Sequence, residues 1–160
     1  MSLAIQTHEW VIPTIQSVHI AAIGITLTSI FMINLRILGW AGRDQSLTET
    51  TARFGPWLSG ALVLLLVTGL LMVIGEPARE LLAFSFWLKM GLVAVGTTIA
   101  FAFQAALRRN EDEWEVSIAR RPGVRAFAVL TFFLWLCIVV LGRLIAYDHI
   151  WGAWSLSPKA

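Results

Sequence analysis

This sequence contains little of what a soluble protein needs. Only 14% of its 160 residues are charged, whereas about 25% is usual for a soluble domain. It has one cysteine, Cys137, which excludes an intrachain disulfide and any metal motif built on paired cysteines. It has no Gly-x-Ser-x-Gly, His-Glu-x-x-His or phosphate-binding loop, so hydrolytic chemistry has no signature here. Its lysines and arginines form no basic stripe, which argues against nucleic acid as a partner.

Long apolar runs fill the chain instead. They cover residues 10–38, 54–75, 84–107 and 126–147, and hydrophobic residues make up 58% of the sequence, with a mean hydropathy of +0.75. A helix rises about 1.5 Å per residue, so about 20 apolar residues cross the ~30 Å hydrocarbon core of a lipid bilayer. The sequence therefore predicts one domain over residues 1–160, an all-α membrane protein folded as a four-helix transmembrane up-down bundle.

The distribution of arginine predicts the orientation in the membrane. Most arginines fall in the first and third connections, at Arg43, Arg53, Arg108, Arg109, Arg120, Arg121 and Arg125. Connections rich in Lys and Arg stay in the cytoplasm. We therefore expect a multi-pass protein of the bacterial inner membrane with both termini in the periplasm. Seven of the eight tryptophans fall near the ends of the runs, as interfacial anchors do, and only Trp135 lies deep within one.

Polar and sulfur-bearing side chains gather, on this topology, near the outer face. They are His19, Met72, Glu76, Lys89, Met90, Arg143 and His149. An ionisable residue inside a span is costly, so it carries a functional hypothesis by default. We expect His19, Arg143, Lys89 and Glu76 to matter most.

The first hypothesis for this cluster is electron transfer. A neutral imidazole within a helical bundle is the usual ligand of b-type haem, which assigns His19 to the iron. Arg143 and Lys89 would neutralise the haem propionates. The candidates for the opposite ligand are Met72, Met90 and His149. A quinone site needs fewer residues than a haem site, because His19 and Arg143 alone could donate to a ring carbonyl.

Two further hypotheses belong to other classes. Copper handling would use His19 and His149 as metal ligands with thioethers beside them, a donor set that suits Cu(I), although no Met-x-x-Met tract occurs. The other is structural: a small anchor or accessory subunit that contacts other membrane or periplasmic subunits, or a second copy of itself. On all these hypotheses the protein is at most an electron-transfer subunit and has no catalytic residues of its own.

Each residue of the cluster also has a purely structural interpretation. His19 could form only a hydrogen bond between helices, and the two methionines could serve only packing. Lys89 and Arg143 could extend to the headgroups or pair with Glu76. Arg36, near the inner face beside Asn34, is interpreted as a topology anchor.

Three segments carry a resemblance to a known family. Residues 18–40 (VHIAAIGITLTSIFMINLRILGW), 68–90 (TGLLMVIGEPARELLAFSFWLKM) and 139–148 (VVLGRLIAYD) resemble small four-span bacterial inner-membrane proteins of unassigned function. The matching positions are Pro13, His19, Arg36, Gly75, Glu76, Pro77, Arg79, Phe86, Lys89, Gly142 and Arg143. Asn34 departs from the Asp that the resemblance implies. The pattern around His19 is also loosely similar to cytochrome b and copper-resistance membrane bundles. The resemblance implies the fold but no reaction.

Overall fold

The computed structural model describes residues 10–42, 44–109 and 122–145. They form five helices: α1 (Val11–Leu38), α2 (Leu47–Gly75), the short α3 (Pro77–Leu81), α4 (Phe84–Arg109) and α5 (Pro122–Ile145). The four long helices are long and apolar enough to cross a membrane. The prediction of an all-α, four-helix membrane bundle is therefore confirmed.

The helix boundaries differ from the predicted ones where capping residues lie outside the apolar runs. The helix α2 begins at Leu47 rather than at 54, because Ser46 and Glu49 form a capping box: each accepts a hydrogen bond from the backbone N–H of the other. The helix α5 begins at Pro122 rather than at 126. Proline is well tolerated in the first turn of a helix, where its missing N–H has no partner within the helix.

The helices are arranged as two hairpin-like pairs. The helix α1 packs along α2, α4 packs along α5, and α1 also contacts α5. Between α1 and α2 the chain turns at Gly39, whose φ of 72° favours glycine. There the guanidinium Nε of Arg36 donates to the carbonyl of Gln45 at 2.6 Å, so this side chain fastens the connection between α1 and α2.

The two ends of the bundle have different composition, and we name them by their residues. The arginine end carries Arg36, Arg108, Arg109 and Arg125 and includes the connection between α1 and α2. The opposite end, the His19 end, contains the start of α1 and the short helix α3. The charge rule predicts that the arginine end faces the cytoplasm.

Buried apolar side chains form three clusters along the bundle. From the arginine end to the His19 end they centre on Leu47 and Leu107, then on Leu58 and Trp135, and then on Phe86. Many large apolar side chains face outward, which suits a lipid surround. Of the described tryptophans only Trp135 is buried, at 3% exposure, whereas the others are more than half exposed. This agrees with the interfacial role predicted for those near the ends of the runs.

The helices α4 and α5 approach each other closely at Gly96. A Cβ atom at this position would lie 2.8 Å from Cδ2 of Leu134 and 3.2 Å from Cζ2 of Trp135. Gly91 on the same helix has open space around it. Transmembrane helices associate through such small residues because lipid supplies no hydrophobic driving force.

We expect Gly96→Ala to destabilise the bundle by about 1–3 kcal/mol, since the methyl group would overpack the contact with α5. Thermal unfolding in detergent measures the effect, with Gly91→Ala as the matched control. Equal melting temperatures of the two variants would show that α4 and α5 do not meet at Gly96.

The capping box at the start of α2 gives a second prediction. Ser46→Ala removes the side chain that accepts from the Glu49 N–H and should cost about 1 kcal/mol of stability. Thr48→Ala, one residue inside the helix, is the control, since the Thr48 hydroxyl bonds to no described residue. A smaller loss in Ser46→Ala than in Thr48→Ala would contradict the assigned cap.

Candidate functional site

The side chain of His19 bridges the first two transmembrane helices. It lies in the third turn of α1, at the His19 end, and its Nδ1 is 2.7 Å from Oγ1 of Thr68 on α2. The next residue, Gly69, also faces the ring, since a Cβ there would stand in van der Waals contact with Cε1 of His19, at 3.7 Å. The imidazole is therefore held against α2 by a hydrogen bond and by close packing.

The direction of this hydrogen bond follows from what else Thr68 does. The Thr68 hydroxyl donates its one proton to the carbonyl of Leu64, one turn earlier, at 2.7 Å. It must then accept the proton of His19 Nδ1. A neutral imidazole that is protonated at Nδ1 has a free lone pair on Nε2. No described residue bonds to that Nε2.

Lys89 is the charged group that the structure brings to His19. It lies near the start of α4, within range for its charge to act on His19. Its side chain runs along α5, where Gly142 presents no side chain, with Nζ 3.9 Å from where a Cβ would stand. Its charge also interacts with Glu80 of α3, which is only 6% exposed.

Glu80 is a site residue that the sequence reasoning missed. It follows Glu76 by one helical turn. Its burial depends on how α3 folds back on the ends of α2 and α4, and no local pattern shows that. The one sequence signal for Glu80 was that it is an acidic residue one helical turn from Glu76, which belongs to the predicted site.

The remaining predicted residues are placed as follows. Glu76 joins α2 to α3, and Arg143 is exposed on α5 next to Gly142; both make further contacts. Met72 is half-buried on the same face of α2 as Thr68, four residues on. Met90 packs against the Ala83, Phe86 and Ile145 cluster, as its structural interpretation expected. His149 lies outside the described residues, as does His8.

No group of three or more His, Cys, Asp and Glu side chains that could hold a metal occurs within the described ranges. The assignment of His19 and His149 as a metal pair stays a prediction, and so do the ligand roles of the other residues. The geometry shows an imidazole, a lysine and a buried carboxyl group at one end of the bundle.

A second feature lies at the arginine end. A cavity of about 230 Å³ opens between α1, α4 and α5, with walls that are mainly Ile, Leu, Ala and Phe. Its polar lining includes Asn34, Gln104 and Trp135, each more than nine-tenths buried. Asn34 thus lines this cavity, whereas the Nε of Arg36 is directed to the carbonyl of Gln45.

The chain belongs to the DUF6644 family, a family of unknown function whose model matches residues 5–148. The predicted membership of a family without assigned function is thereby confirmed. The chain has no match among curated proteins and none among solved structures. Its loose likeness to cytochrome b and copper-resistance bundles stays a prediction, as does a bacterial source.

The tautomer of His19 can be tested directly. We expect ¹⁵N magnetic resonance of labelled protein to show His19 protonated at Nδ1 and unprotonated at Nε2. Thr68→Val removes the acceptor and should release this preference, giving a mixture of both tautomers. Thr98→Val, which removes an exposed hydroxyl elsewhere, should leave it unchanged. His19→Ala identifies the signal, and a wild-type resonance protonated at Nε2 would contradict the assignment.

Proposed function

We propose that this protein is a small, non-catalytic membrane subunit that binds one redox ligand through Nε2 of His19, with b-type haem as the first candidate. The observation that carries the proposal is the hydrogen bond from His19 Nδ1–H to Thr68. A metal-ligating histidine commonly donates its other ring N–H to a protein acceptor, which fixes the ring and raises the basicity of the ligating nitrogen.

The same hydrogen bond helps to choose between the candidate ligands. The carbonyl oxygen of an oxidised quinone requires a hydrogen-bond donor, whereas a neutral His19 offers only a lone pair on Nε2. Iron requires a lone pair. The imidazole therefore fits an axial ligand of haem better than it fits a donor to a quinone.

The neighbouring residues fit the periphery of such a group. Lys89 supplies a cation beside His19, and Arg143 lies on α5 next to Gly142, which Lys89 contacts. Carboxylates such as haem propionates would be neutralised by these two side chains. When bound, haem would supply one-electron transfer. The protein residues orient the imidazole and balance charge, with Glu80 offsetting Lys89.

Two thioethers and one imidazole could supply a second protein ligand to the iron. Met72 is the better-placed thioether, since it shares a face of α2 with Thr68, whereas Met90 is engaged in an apolar cluster. His149 is the remaining candidate. We place the site near the periplasmic side of a bacterial inner membrane, in a complex with other membrane or periplasmic subunits or with a second copy.

A quinol is the second candidate, and the acceptor character of His19 favours it over the quinone. A quinol hydroxyl can donate to Nε2, and Lys89 can donate to the other ring oxygen. Copper with His19 and a thioether, and a purely structural anchor, are the further alternatives that the experiment must separate.

The experiment is an absorption spectrum of the purified full chain, oxidised and reduced, together with metal analysis and extraction of quinones. Haem gives a Soret band and a reduced α-band that His19→Ala should abolish. Met72→Leu and His149→Ala should each be compared for a shifted spectrum, which would identify the opposite ligand. Arg36→Ala, at the arginine end, should retain the spectrum and reduce mainly membrane insertion.

Each other outcome replaces the proposal with a named alternative. Bound copper without haem would indicate copper handling, and co-purified quinol that depends on His19 would indicate the second candidate. If His19→Ala leaves the spectrum, the metal content and the co-purified molecules as they are in the wild type, His19 serves only packing and the proposal fails.

A further inference from the structure

The cavity at the arginine end has an accessible lining that is almost wholly apolar. Its walls are mainly Ile, Leu, Phe and Ala side chains from four helices, and no charged side chain lines it. The N–H groups of Asn34, Gln104 and Trp135 have almost no accessible surface. The lining hydroxyl of Thr131 is used on the carbonyl of Phe127. An occupant of the cavity is therefore held by apolar contact alone.

The cavity extends along the helix axes. Its lining residues on α5 run from Gly123 to Trp135, which is about 18 Å of helix at about 1.5 Å per residue. Those on α1 run from Ile30 to Ile37. One leaflet supplies about half of the ~30 Å hydrocarbon core of a bilayer. The cavity thus follows the bundle to about the depth of one leaflet, in the direction in which the acyl chains of a lipid lie.

The cavity borders the outer surface at the first turns of α5. Gly123 is exposed, and nothing lies within 4 Å of where its Cβ would stand. Phe127, one turn on, is 46% exposed. The volume of about 230 Å³ exceeds the roughly 150 Å³ that suffices for benzene in an engineered apolar cavity, which otherwise stays dry. Hydrocarbon from the surrounding lipid therefore fits this space better than water does.

Two arginines flank the cavity where it reaches the end of the bundle. Arg125 follows the lining residues Gly123 and Val124 in the first turn of α5. Arg108, in the last turn of α4, is one turn beyond the lining residue Gln104. Both arginines are exposed, and neither bonds to another described residue. Basic residues between transmembrane helices on the cytoplasmic side attract anionic lipid head groups, and the charge rule predicts that this end is cytoplasmic.

We propose that the cavity holds one acyl chain of an anionic phospholipid whose phosphate lies against Arg108 and Arg125. The apolar lining and the depth of one leaflet suit the chain, and the two cations at the end of the bundle suit the head group. The site lies at the opposite end of the bundle from His19 and does not depend on the function proposed there.

The test is a titration of the purified full chain in detergent, followed by native mass spectrometry. The probes are dioleoylphosphatidylglycerol, dioleoylphosphatidylcholine and a decyl-tailed benzoquinone. The two phospholipids have the same acyl chains and differ in net charge. We expect one equivalent of phosphatidylglycerol to bind at least about fivefold more tightly than phosphatidylcholine, since each arginine near an anionic head group contributes about that factor.

Charge variants test the head-group contact. Arg108→Gln and Arg125→Gln should each weaken the binding of phosphatidylglycerol about fivefold and leave that of phosphatidylcholine unchanged. Arg53→Gln is the matched control. Arg53 is exposed at the same end of the bundle, but on a different face of α2 from the lining residue Leu58. This variant should bind both phospholipids as the wild type does.

A shape variant tests the chain. Ala100→Leu fills the cavity without changing a charge and should abolish the tight binding of both phospholipids. Ala102→Leu, on the exposed face of the same helix, should leave it intact. A phosphatidylglycerol with a photoreactive diazirine in one acyl chain locates the chain in the wild type. We expect cross-links to the lining residues Phe103 and Val124, and cross-links to exposed residues alone would contradict the proposal even if Ala100→Leu fails to fold.

Three results of the titration would overturn the proposal. One is equal affinity for the two phospholipids, since the acidic residues between Arg109 and Arg120 would then balance the arginines. Another is binding of phosphatidylglycerol that Ala100→Leu leaves intact while circular dichroism shows native helix content, because the chain would then lie elsewhere. The third is one equivalent of benzoquinone that binds more tightly than phosphatidylglycerol and is lost in Ala100→Leu, which would assign the cavity to the tail of a quinone.

Discussion

A lipid bilayer supplies no hydrogen-bond partners, and this constraint determines the role of every polar side chain in the bundle. The simplest solution is local: Thr14, Ser17, Thr26, Ser29 and Thr98 each donate to the carbonyl four residues earlier on the same helix. Such residues place a hydroxyl in a span without needing a second helix. They are therefore poor indicators of a site, even where they fall on the same face as a histidine.

Thr68 combines such a local hydrogen bond with a contact to a second helix. Its proton is used on the carbonyl of Leu64, so its oxygen remains as an acceptor for His19. One local bond thereby fixes the tautomer of an imidazole on another helix and leaves Nε2 free. This contact is compatible with both the structural and the functional interpretation of His19. The bridge between helices uses Nδ1, whereas a ligand would bind to Nε2.

The four spans and the bundle could be predicted because length and apolar composition alone determine them. The predicted ends of the helices were less accurate, because the capping box at Ser46 and the first-turn Pro122 lie outside the apolar runs. Small and polar residues are typical of helix interfaces in lipid, but in this bundle they are not all used in that way. Gly96 and Gln104 are buried between helices, whereas Gly60 and Gly91 are exposed and have nothing within 4 Å.

Such interfaces are hard to predict because a sequence shows which residues permit two helices to approach closely, but not which face of a helix packs against a neighbour. The same limit applies to the site. His19 and Lys89 could be chosen because an ionisable residue in a span is rare. The partner Thr68 lies 49 residues from His19, and Glu80 becomes buried only when α3 folds back. Asn34, Gln104 and Trp135 come from separate helices, so no sequence signal shows that they line one cavity.

Two packing glycines hold polar side chains within the bundle. Gly96 brings α4 against the ring of Trp135, and Gly55 brings α2 against the amide of Gln104. A side chain at either position would press on the ring or on the amide. The close contacts that substitute for a hydrophobic driving force in lipid thus also hold these two polar side chains in place. Stability and the placement of Trp135 and Gln104 therefore depend on the same few contacts, and a bundle packed less closely would keep its spans but lose that placement.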